Sequence, residues 1–329
     1  MVQIDIYFSE NLKVLCENLK EYPAVFVVAD RKVRRDIADP LVEFCAMEGV
    51  AIRGLLCIRA GEKRKTLTGV EKIIKWLAGA GADTDALLLA VGGGTTTDIA
   101  SFAACIYKRG IRYANVPTTL LAQVDAGIGG KTGCNVAGLK NLAGTICQPQ
   151  FTFINFDYIR SLPWNELMCG YAEMLKTFII ADPVAYRDAV ALEDFSRIGP
   201  LIRSAAMIKR DIVLKDENDK GQRRLLNLGH TYAHAIETLS GRKWWRHRIP
   251  HGYAVAMGII LAARRAELLK YASKGLARRL EEDFMAVGLP VECPFSQEEM
   301  DSIIRNDKKV AEGKVHYVLP RAIGDVIID

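Results

Sequence analysis

The sequence lacks the segments that mark membrane-embedded and secreted proteins. No apolar run among its 329 residues reaches the roughly 18–20 residues that a membrane-spanning helix needs. The N-terminal sequence, MVQIDIYFSENLK, has acidic residues early and no basic-then-apolar order, so it does not resemble a secretory signal. We therefore expect a cytoplasmic protein.

A disulfide framework and a nucleic-acid interface are not indicated either. The eight cysteines include no C-x-x-C pair, and Cys57, Cys105 and Cys147 lie among apolar neighbours, where a free thiol behaves as a small hydrophobe. We predict reduced, structural cysteines. The formal net charge of +5 is small for this length and no long basic run exists. This balance argues against nucleic acid and allows a local pocket for an anionic small molecule.

The first half alternates apolar runs with segments of helical character. The strand candidates are residues 24–30, 50–58 and 86–91, which are apolar runs of the kind that parallel sheets bury on both faces. Charged or amphipathic segments, one reaching about residue 47 and one over 66–78, separate them. This order predicts an α/β domain with a parallel sheet.

A glycine turn follows the third strand, because residues 92–98 read GGGTTTD before a predicted helix. Strand, glycine turn and helix together present backbone N–H groups and a helix N-terminus to a phosphate. The spacing is not G-x-G-x-x-G, so the ordinary dinucleotide fingerprint is absent. A simple turn is the alternative. The flanking strand and helix make us favour a nucleotide site.

Polar side chains lie among many glycines in residues 113–135. Thr118, Thr119, Asp125 and Lys131 fall in this stretch, and a Lys-Asn pair follows at 140–141. These residues would also suit a solvated loop. Their glycine-rich setting instead favours a place where the chain closely approaches a ligand.

Histidine is scarce, yet four of the five histidines lie within 22 positions. His230 and His234 are four residues apart in a segment with helical periodicity, so both imidazoles are predicted on one helix face. Imidazole is a common ligand of zinc. A pair of buried core histidines is the alternative. The clustering favours a metal site whose further ligand comes from elsewhere in the chain.

Together these segments resemble the 3-dehydroquinate synthases, a family of sugar-phosphate cyclases. No single motif is specific, but the set runs through nearly the whole chain. The motifs are AGEKRKT (60–66), GGGTTTDIASF (92–102), YKRG (107–110), VPTTLLAQVDAGIGGKTGCN (116–135), KNLAG (140–144), LP..E...GYAEMLK (162–176), LNLGHTYAHAIE (226–237) and HGYAVAMG (251–258).

The resemblance implies an α/β protein of two domains with the active site in the cleft between them. Residues 1–158 would form an NAD-binding parallel-sheet domain, and residues 159–329 a mainly helical domain that binds metal and substrate. The second half agrees, because strand signals fade after about residue 159. Helical periodicity there covers residues 165–180, 200–217, 226–240, 253–271 and 275–287, before a β-like ending at 316–319.

The resemblance also implies a ligand set for one zinc or cobalt ion. Glu173, His230 and His251 match the family's metal ligands, so His234 becomes a residue on the substrate side. Three side-chain ligands leave coordination positions open for substrate oxygens. Residues 243–246, with Trp244 and Trp245, resemble a variable loop between the ligands.

Further residues match family positions around the cofactor and the substrate. Those matching NAD contacts are Asp30, Glu62, Lys63, Lys65, Gly93, Gly94, Thr95, Thr96, Asp98, Thr118, Thr119, Asp125, Lys131 and Lys140. Those matching catalytic or substrate-binding positions are Lys131, Asn141, Lys176, Lys209, Arg223, Asn227, His234 and Lys308. Arg109 matches a residue that reaches the phosphate from the partner subunit, which implies a homodimer.

The implied reaction converts 3-deoxy-D-arabino-heptulosonate 7-phosphate into 3-dehydroquinate and phosphate, a step of the shikimate pathway to the aromatic amino acids. NAD would act by transient oxidation and be regenerated in each turnover. Another cyclase, such as a 2-epi-5-epi-valiolone synthase, is one alternative, but Lys209, Asn227 and His234 have the dehydroquinate-synthase form. A metal-dependent polyol dehydrogenase is the other, although its metal set usually begins with aspartate.

Three positions depart from the family pattern. Thr97 fills the last glycine position of the glycine turn, and Leu139 replaces a usual glycine; both bear on the local backbone path. Tyr253 replaces a glutamate that is common after His-Gly. This change bears on the orientation of His251, since a carboxylate holds a ligand imidazole differently from a phenol.

Overall fold

The computed structural model describes residues 3–241, 248–307 and 316–329. Lys308 and the loop with Trp244 and Trp245 therefore lie outside the described residues. The chain divides into two compact units. The first comprises Met1–Leu162 with Lys209–Asn218, and the second comprises Pro163–Ile208 with Asp219–Asp329.

A parallel sheet of six strands forms the centre of the first unit, with the order β1-β8-β5-β4-β2-β3. This confirms the predicted parallel α/β organisation. A separate antiparallel hairpin pairs β6 with β7. The strands of the unit are β1 (Ile6–Phe8), β2 (Val25–Asp30), β3 (Ile52–Ile58), β4 (Leu87–Gly92), β5 (Arg112–Pro117), β6 (Lys131–Val136), β7 (Leu139–Ile146) and β8 (Thr152–Ile154).

Helices cover both faces of this sheet. They are α1 (Leu12–Leu19), α2 (Asp39–Met47), α3 (Leu67–Gly79) and α4 (Gly94–Ile106). Alternate residues of β2 point to opposite faces: Phe26 and Val28 pack with residues of α3 and α4, whereas Val25 and Val27 pack with residues of α1 and α2. Each fully buried Val, Leu or Phe contributes about 1.5–3 kcal/mol. A strand buried on both sides has to be apolar throughout, which is why β2 and β4 were recognisable in the sequence.

The strand order reverses between β2 and β4, which are neighbours in the sheet. The chain leaves β2 for β3 on one side, and it leaves β4 for β5 on the other side. Ligands of open α/β sheets bind beyond the carboxyl ends of the strands at such a reversal. Asp30 ends β2 and Gly92 ends β4. The topology therefore places the glycine turn at the expected ligand-binding position.

Leu139 does not disturb the hairpin in which it lies. Val136 pairs with Leu139, so the turn consists of Ala137 and Gly138, whose φ angles are +52° and +80°. Positive φ at both central residues is the requirement of a two-residue type I′ turn. Leu139 itself begins β7, where a side chain meets no backbone restriction.

The second unit is mainly helical, as predicted. Its helices are α5 (Trp164–Ala181), α6 (Pro183–Val190), α7 (Gly199–Lys215), α8 (His230–Ser240), α9 (His251–Leu268), α10 (Leu276–Ala286) and α11 (Gln297–Asp307), and an antiparallel hairpin of β9 (Val318–Ala322) and β10 (Asp325–Ile328) follows. The boundary between the units falls within α7. None of the described helices is long and apolar enough to cross a membrane.

Side-chain caps define where several helices begin. Asn11 caps α1 and Thr66 caps α3, each by accepting a hydrogen bond from a backbone N–H of the first turn. Asp182 caps α6 through the N–H groups of Val184 and Ala185, with Pro183 at the first helical position. Such caps satisfy donors that have no partner within the helix, and each contributes about 1 kcal/mol.

Helix α9 packs against α8 and α5 at two glycines. A Cβ atom at Gly258 would lie 2.2 Å from the carbonyl oxygen of Gly229, which precedes α8. A Cβ atom at Gly252 would lie 2.3 Å from the Cα atom of Cys169 in α5. Both obstacles are backbone atoms, which cannot rotate away. These contacts set how closely the three helices approach.

Gly258→Ala is therefore expected to destabilise the protein by about 1–3 kcal/mol, the usual cost of overpacking. Gly79→Ala is the matched control, because Gly79 lies in helix α3 and a Cβ atom there has nothing within 4 Å. Alanine should stabilise that helix by up to about 1 kcal/mol. Chemical denaturation of the wild type and both variants measures the two effects. Equal stability of the two variants would contradict the packing argument.

Candidate functional site

Helices α5, α8 and α9 bring one carboxylate and two imidazoles together in the second unit. Nε2 of His251 lies 3.1 Å from Oε1 of Glu173, and Nε2 of His230 lies 3.6 Å from the same oxygen. One ligand atom from each of these side chains lies within 4.8 Å of the others. His230 and His251 each begin a helix, while Glu173 lies within α5 and is fully buried. This donor set and spacing suit one zinc-like ion.

A neighbouring group holds each of these three side chains. The ammonium of Lys176, one helical turn after Glu173, lies 2.5 Å from Oε2 of that carboxylate. Nδ1 of His230 lies 3.2 Å from the carbonyl oxygen of Leu228. A carbonyl only accepts, so Nδ1 of His230 carries the proton and Nε2 keeps its lone pair. Nδ1 of His251 lies 3.4 Å from Oε1 of Glu237.

The surroundings set the charge of each group. Burial alone would raise the pKa of Glu173, but Lys176 and the two histidines hold it well below its usual range. Burial, followed by repulsion from Lys176, lowers the pKa of His230 to about 3. Burial would lower the pKa of His251 too, but hydrogen bonds to Glu173 and Glu237 raise it to about 10. In the metal-free protein at neutral pH, His230 is therefore neutral and His251 carries a proton.

His234 lies beside the cluster without belonging to it. Its ring centroid is 5.7 Å from that of His230, but the group of close donor atoms among the described residues does not include it. The first interpretation of His230 and His234 as paired ligands is therefore wrong. Helical spacing places the two rings on one face, whereas a ligand set also needs the atoms to converge.

Two predicted substrate-binding residues lie in the 3₁₀ turn Gln222–Asn227, which precedes α8. Arg223 is buried there and Asn227 is exposed.

In the first unit, the turn after β4 has features of an anion site. Gly93 caps α4 with its backbone only, and its carbonyl oxygen accepts from the N–H groups of Thr96 and Thr97. Within the described ranges, the N–H groups of Gly94 and Thr95 are therefore the ones that face a ligand at this helix N-terminus. The hydroxyls of Thr96 and Thr118 are buried and have no hydrogen-bond partner within the described ranges. Leaving such a group unpaired costs about 1–3 kcal/mol. Both features fit a bound nucleotide that supplies the missing partners.

The glycine turn keeps its helical path despite Thr97. This residue is buried within α4, and its hydroxyl donates to the carbonyl oxygen of Gly94 at 3.0 Å. Asp30, at the end of β2, accepts from the N–H of Lys32 at 3.1 Å. This hydrogen bond fixes the side chain of Asp30 beyond the C-terminal end of strand β2.

Asn135, which is not among the residues predicted from the sequence, connects several predicted cofactor residues. It donates to Oε1 of Glu62 at 2.7 Å and accepts from the backbone N–H of Asn141 at 2.9 Å. Lys65 bridges Oδ1 of Asn141 and Oδ2 of Asp98, each at 2.5 Å. Burial raises the pKa of the Asp98 carboxyl, and the Lys65 ammonium opposes that shift. The one feature of the sequence that could have indicated a role for Asn135 is its position at the end of the GGKTGCN motif.

Lys209 and Asp125 form a second pair in the first unit. The Lys209 ammonium is largely buried and donates to both the backbone carbonyl and the carboxylate of Asp125. Asp125 lies in the π-helical turn Ala122–Ala126, and such turns are frequent at functional sites. Thr119 accepts from the N–H of Ala122 at the start of this segment.

The other predicted residues of this unit lie nearer the surface. Thr95, like Gly93 and Gly94, is half-buried in the first turn of α4 or just before it. Arg109 is exposed in the 3₁₀ turn Tyr107–Arg109 that follows α4, with a φ angle of +68°. The remaining exposed members of the predicted set in this unit are Lys63, Lys131, Lys140 and Asn141.

We expect Glu173→Ala, His230→Ala and His251→Ala each to lose the bound metal, because two remaining side chains hold a zinc-like ion poorly. His234→Ala and His247→Ala should keep it. His234 lies outside the donor cluster, and His247, outside the described residues, matches no motif. Metal analysis of the purified variants after dialysis gives the answer. A metal-free His247→Ala protein would mean that the ligand set is misassigned.

Comparisons with known proteins identify the family of this chain. Two family models match consecutive parts of the chain: 3-dehydroquinate synthase N-terminal over residues 55–169 and 3-dehydroquinate synthase C-terminal over residues 170–310. The 3-dehydroquinate synthase of Pyrococcus abyssi is 40% identical, covering 99% of this chain and 95% of its own. That of Coxiella burnetii is 38% identical, covering 98% of this chain and 91% of its own.

Solved structures of related cyclases share the fold. The 2-epi-5-epi-valiolone synthase from Streptomyces hygroscopicus, with NAD⁺ and Zn²⁺ bound, has a TM-score of 0.87 at 26% identity, covering 100% of this chain and 93% of its own. A 2-deoxy-scyllo-inosose synthase complexed with carbaglucose-6-phosphate, NAD⁺ and Co²⁺ has a TM-score of 0.82 at 23% identity, covering 98% and 90%. Because both family models match and the relatives align along nearly the whole length, this chain belongs to the 3-dehydroquinate synthase family.

Proposed function

We propose that the chain converts 3-deoxy-D-arabino-heptulosonate 7-phosphate into 3-dehydroquinate and phosphate. The observation that carries this function is the intact cluster of Glu173, His230 and His251 in a chain that aligns with 3-dehydroquinate synthases over nearly its whole length. The reaction is a step of the shikimate pathway. We place it in the cytoplasm, where thiols stay reduced, since all eight cysteines are free.

NAD and one zinc or cobalt ion are the proposed cofactors. When bound, NAD accepts and returns a hydride, and the metal acts as a Lewis acid toward a substrate oxygen. The metal would be held by Glu173, His230 and His251. Because His251 carries a proton in the metal-free protein, loading the site would release that proton.

The first unit supplies the groups that would bind NAD. The N–H groups of Gly94 and Thr95, at the start of α4, suit the pyrophosphate. The hydroxyls of Thr96 and Thr118, which have no hydrogen-bond partner among the described residues, suit further polar groups of the dinucleotide, and Asp30, at the end of β2, suits a ribose hydroxyl. Asn135, by holding Glu62 and Asn141, would keep the surrounding loops in place.

The substrate carries a carboxylate and a phosphate, so cations are expected to bind it. Lys176, Lys209 and Arg223 are buried cationic side chains, and we assign them to the substrate's anionic groups. Lys131 would lie near both cofactor and substrate, and Lys140 near the cofactor. Asn141, Asn227 and His234 would bond the substrate hydroxyls. Lys308 belongs to the same proposed set.

A 2-epi-5-epi-valiolone synthase is the second candidate, because the similar solved structure has that activity in its own organism. Its identity to this chain is 26%, whereas 3-dehydroquinate synthases reach 42%. Lys209, Asn227 and His234 also keep the form expected for a substrate with a carboxylate. These observations favour the heptulosonate phosphate over sedoheptulose 7-phosphate.

The function test measures phosphate release from each of these two sugar phosphates. We expect release from the heptulosonate phosphate only, its loss after chelation, and its return when Zn²⁺ or Co²⁺ is added. Absorbance of reduced cofactor should stay flat through many turnovers, because NAD is regenerated in each one. NADH accumulating in proportion to substrate would instead identify a polyol dehydrogenase, and turnover of sedoheptulose 7-phosphate would identify the other cyclase.

We also propose that the enzyme is a homodimer in which Arg109 serves the partner's active site. Arg109 is exposed and follows α4, fifteen positions after Gly94. At 1.5 Å per helical residue it lies roughly 20 Å from the glycine turn of its own chain. A surface arginine near a helix C-terminus is the alternative, favoured only by the helix dipole.

Subunit mixing distinguishes these two roles of Arg109. Arg109→Ala and Lys176→Ala should each be badly impaired alone. In a mixed dimer, one site keeps its own Lys176 and the partner's intact arginine, so a statistical mixture should recover about a quarter of wild-type activity for a two-fold dimer. A nearly fully active Arg109→Ala enzyme, or no recovery in demonstrably mixed dimers, would defeat the assignment.

A further inference from the structure

We propose that Glu237 is a positioning residue that orients His251 toward the metal, an inference that rests on the proposed function. Glu237 lies two turns after His230 in α8. Its Oε1 atom is 3.4 Å from Nδ1 of His251, and Nε2 of the same ring is 3.1 Å from Oε1 of Glu173. Both nitrogens of the His251 ring are therefore held by carboxylates that come from two different helices.

Burial shows that Glu237 is not an ordinary surface acid. Its exposure is 5%, and a buried carboxylate costs several kcal/mol unless it is paired and hydrogen-bonded. The packing of α8 against α9 supplies the imidazole of His251 as an ionic partner at this depth. Glu237 and His251 therefore form an ion pair, so removing the carboxylate of Glu237 is expected to change the orientation of the His251 ring.

The three ligands of the cluster are supported by different groups. The ammonium of Lys176 forms an ion pair with Glu173, and the neutral backbone carbonyl of Leu228 accepts from Nδ1 of His230. Of the two histidines, His251 has a carboxylate near the ring nitrogen that faces away from Glu173. A carboxylate fixes the tautomer and ring orientation and makes the imidazole a stronger donor to the metal. Glu237 thus makes His251 the more strongly donating histidine of the pair.

The resemblance implies a glutamate at position 253, where this chain has Tyr253, two residues after His251. Here a carboxylate from the neighbouring helix lies at ion-pair distance from Nδ1 of His251. With Nδ1 facing Glu237, Nε2 is the nitrogen that lies 3.1 Å from Glu173 and would face the metal.

The test compares zinc affinity in Glu237→Leu, Glu237→Gln and the wild type. Leucine removes the acceptor without leaving a large cavity, so we expect zinc binding about 10–100-fold weaker, the usual effect of losing such a partner. Glutamine keeps an oxygen that accepts from Nδ1 but loses the charge, so its loss should be smaller. Competition with a chromophoric chelator measures the dissociation constants, and the visible spectrum of the Co²⁺-loaded protein reports the ligand geometry.

Asp283→Asn is the matched control, because it removes a carboxylate of the same unit whose partners are the hydroxyl of Tyr186, at 3.0 Å, and the guanidinium of Arg279, at 3.8 Å. It should leave the zinc constant and the cobalt spectrum unchanged, whereas both Glu237 variants should alter them. Circular dichroism checks folding; if Glu237→Leu does not fold, Glu237→Gln alone decides. Unchanged zinc affinity and cobalt spectrum in folded Glu237 variants would overturn this role and leave the proposed function standing. A wild-type protein that binds neither metal would overturn the proposed function, and this role with it.

Discussion

The chemistry of the second unit depends on the buried carboxylate of Glu173. A carboxylate with no exposure to water is costly unless cations or donors surround it. Lys176 supplies one partner from the same helix, and His230 and His251 supply two more from α8 and α9. The three helices therefore have to meet at this point. The close backbone contacts at Gly252 and Gly258 allow them to do so.

The first unit prepares its site in a different way. In place of a cluster of charges, it offers polar groups that have no partner in the part of the chain that the structure describes: the N–H groups of Gly94 and Thr95 and the hydroxyls of Thr96 and Thr118. These groups lie at the carboxyl end of a sheet whose strand order reverses between β2 and β4. The fold therefore places these hydrogen-bond donors at the position where a ligand rich in acceptors would bind.

The sequence predicted those parts of the fold whose pattern is local. The strand candidates 24–30, 50–58 and 86–91 lie within two residues of β2, β3 and β4, because a strand buried on both faces is a continuous apolar run. The strands β1, β5, β6, β7 and β8 were not predicted; β1 and β8 have only three residues each, which carry no periodicity. The predicted helix 226–240 begins at His230. Gly229, with a φ angle of +78°, separates it from the preceding 3₁₀ turn.

Local sequence patterns predicted fewer of the site residues than of the strands and helices. Glutamate is common in helices, so nothing near Glu173 marks it as a metal ligand, and only the family resemblance singled it out. Glu237 lies on the same helix face as His230, but its partner is on α9, the next described helix. Asn135 likewise depends on contacts with Glu62 and Asn141. Such contacts arise from tertiary packing, which spacing along the chain does not encode.

The charges of the cluster indicate why one arrangement suits both the empty and the loaded site. Without metal, the Lys176 ammonium and the protonated His251 balance the carboxylates of Glu173 and Glu237. A divalent cation held by the cluster would displace the proton of His251 and would leave one net positive charge, because two charges would enter and one would leave. Two helix N-termini, those of α8 and α9, add positive potential at the same place. The metal-free cluster is thus neutral, whereas the loaded cluster would attract anions, which is the property that a carboxylated sugar phosphate requires.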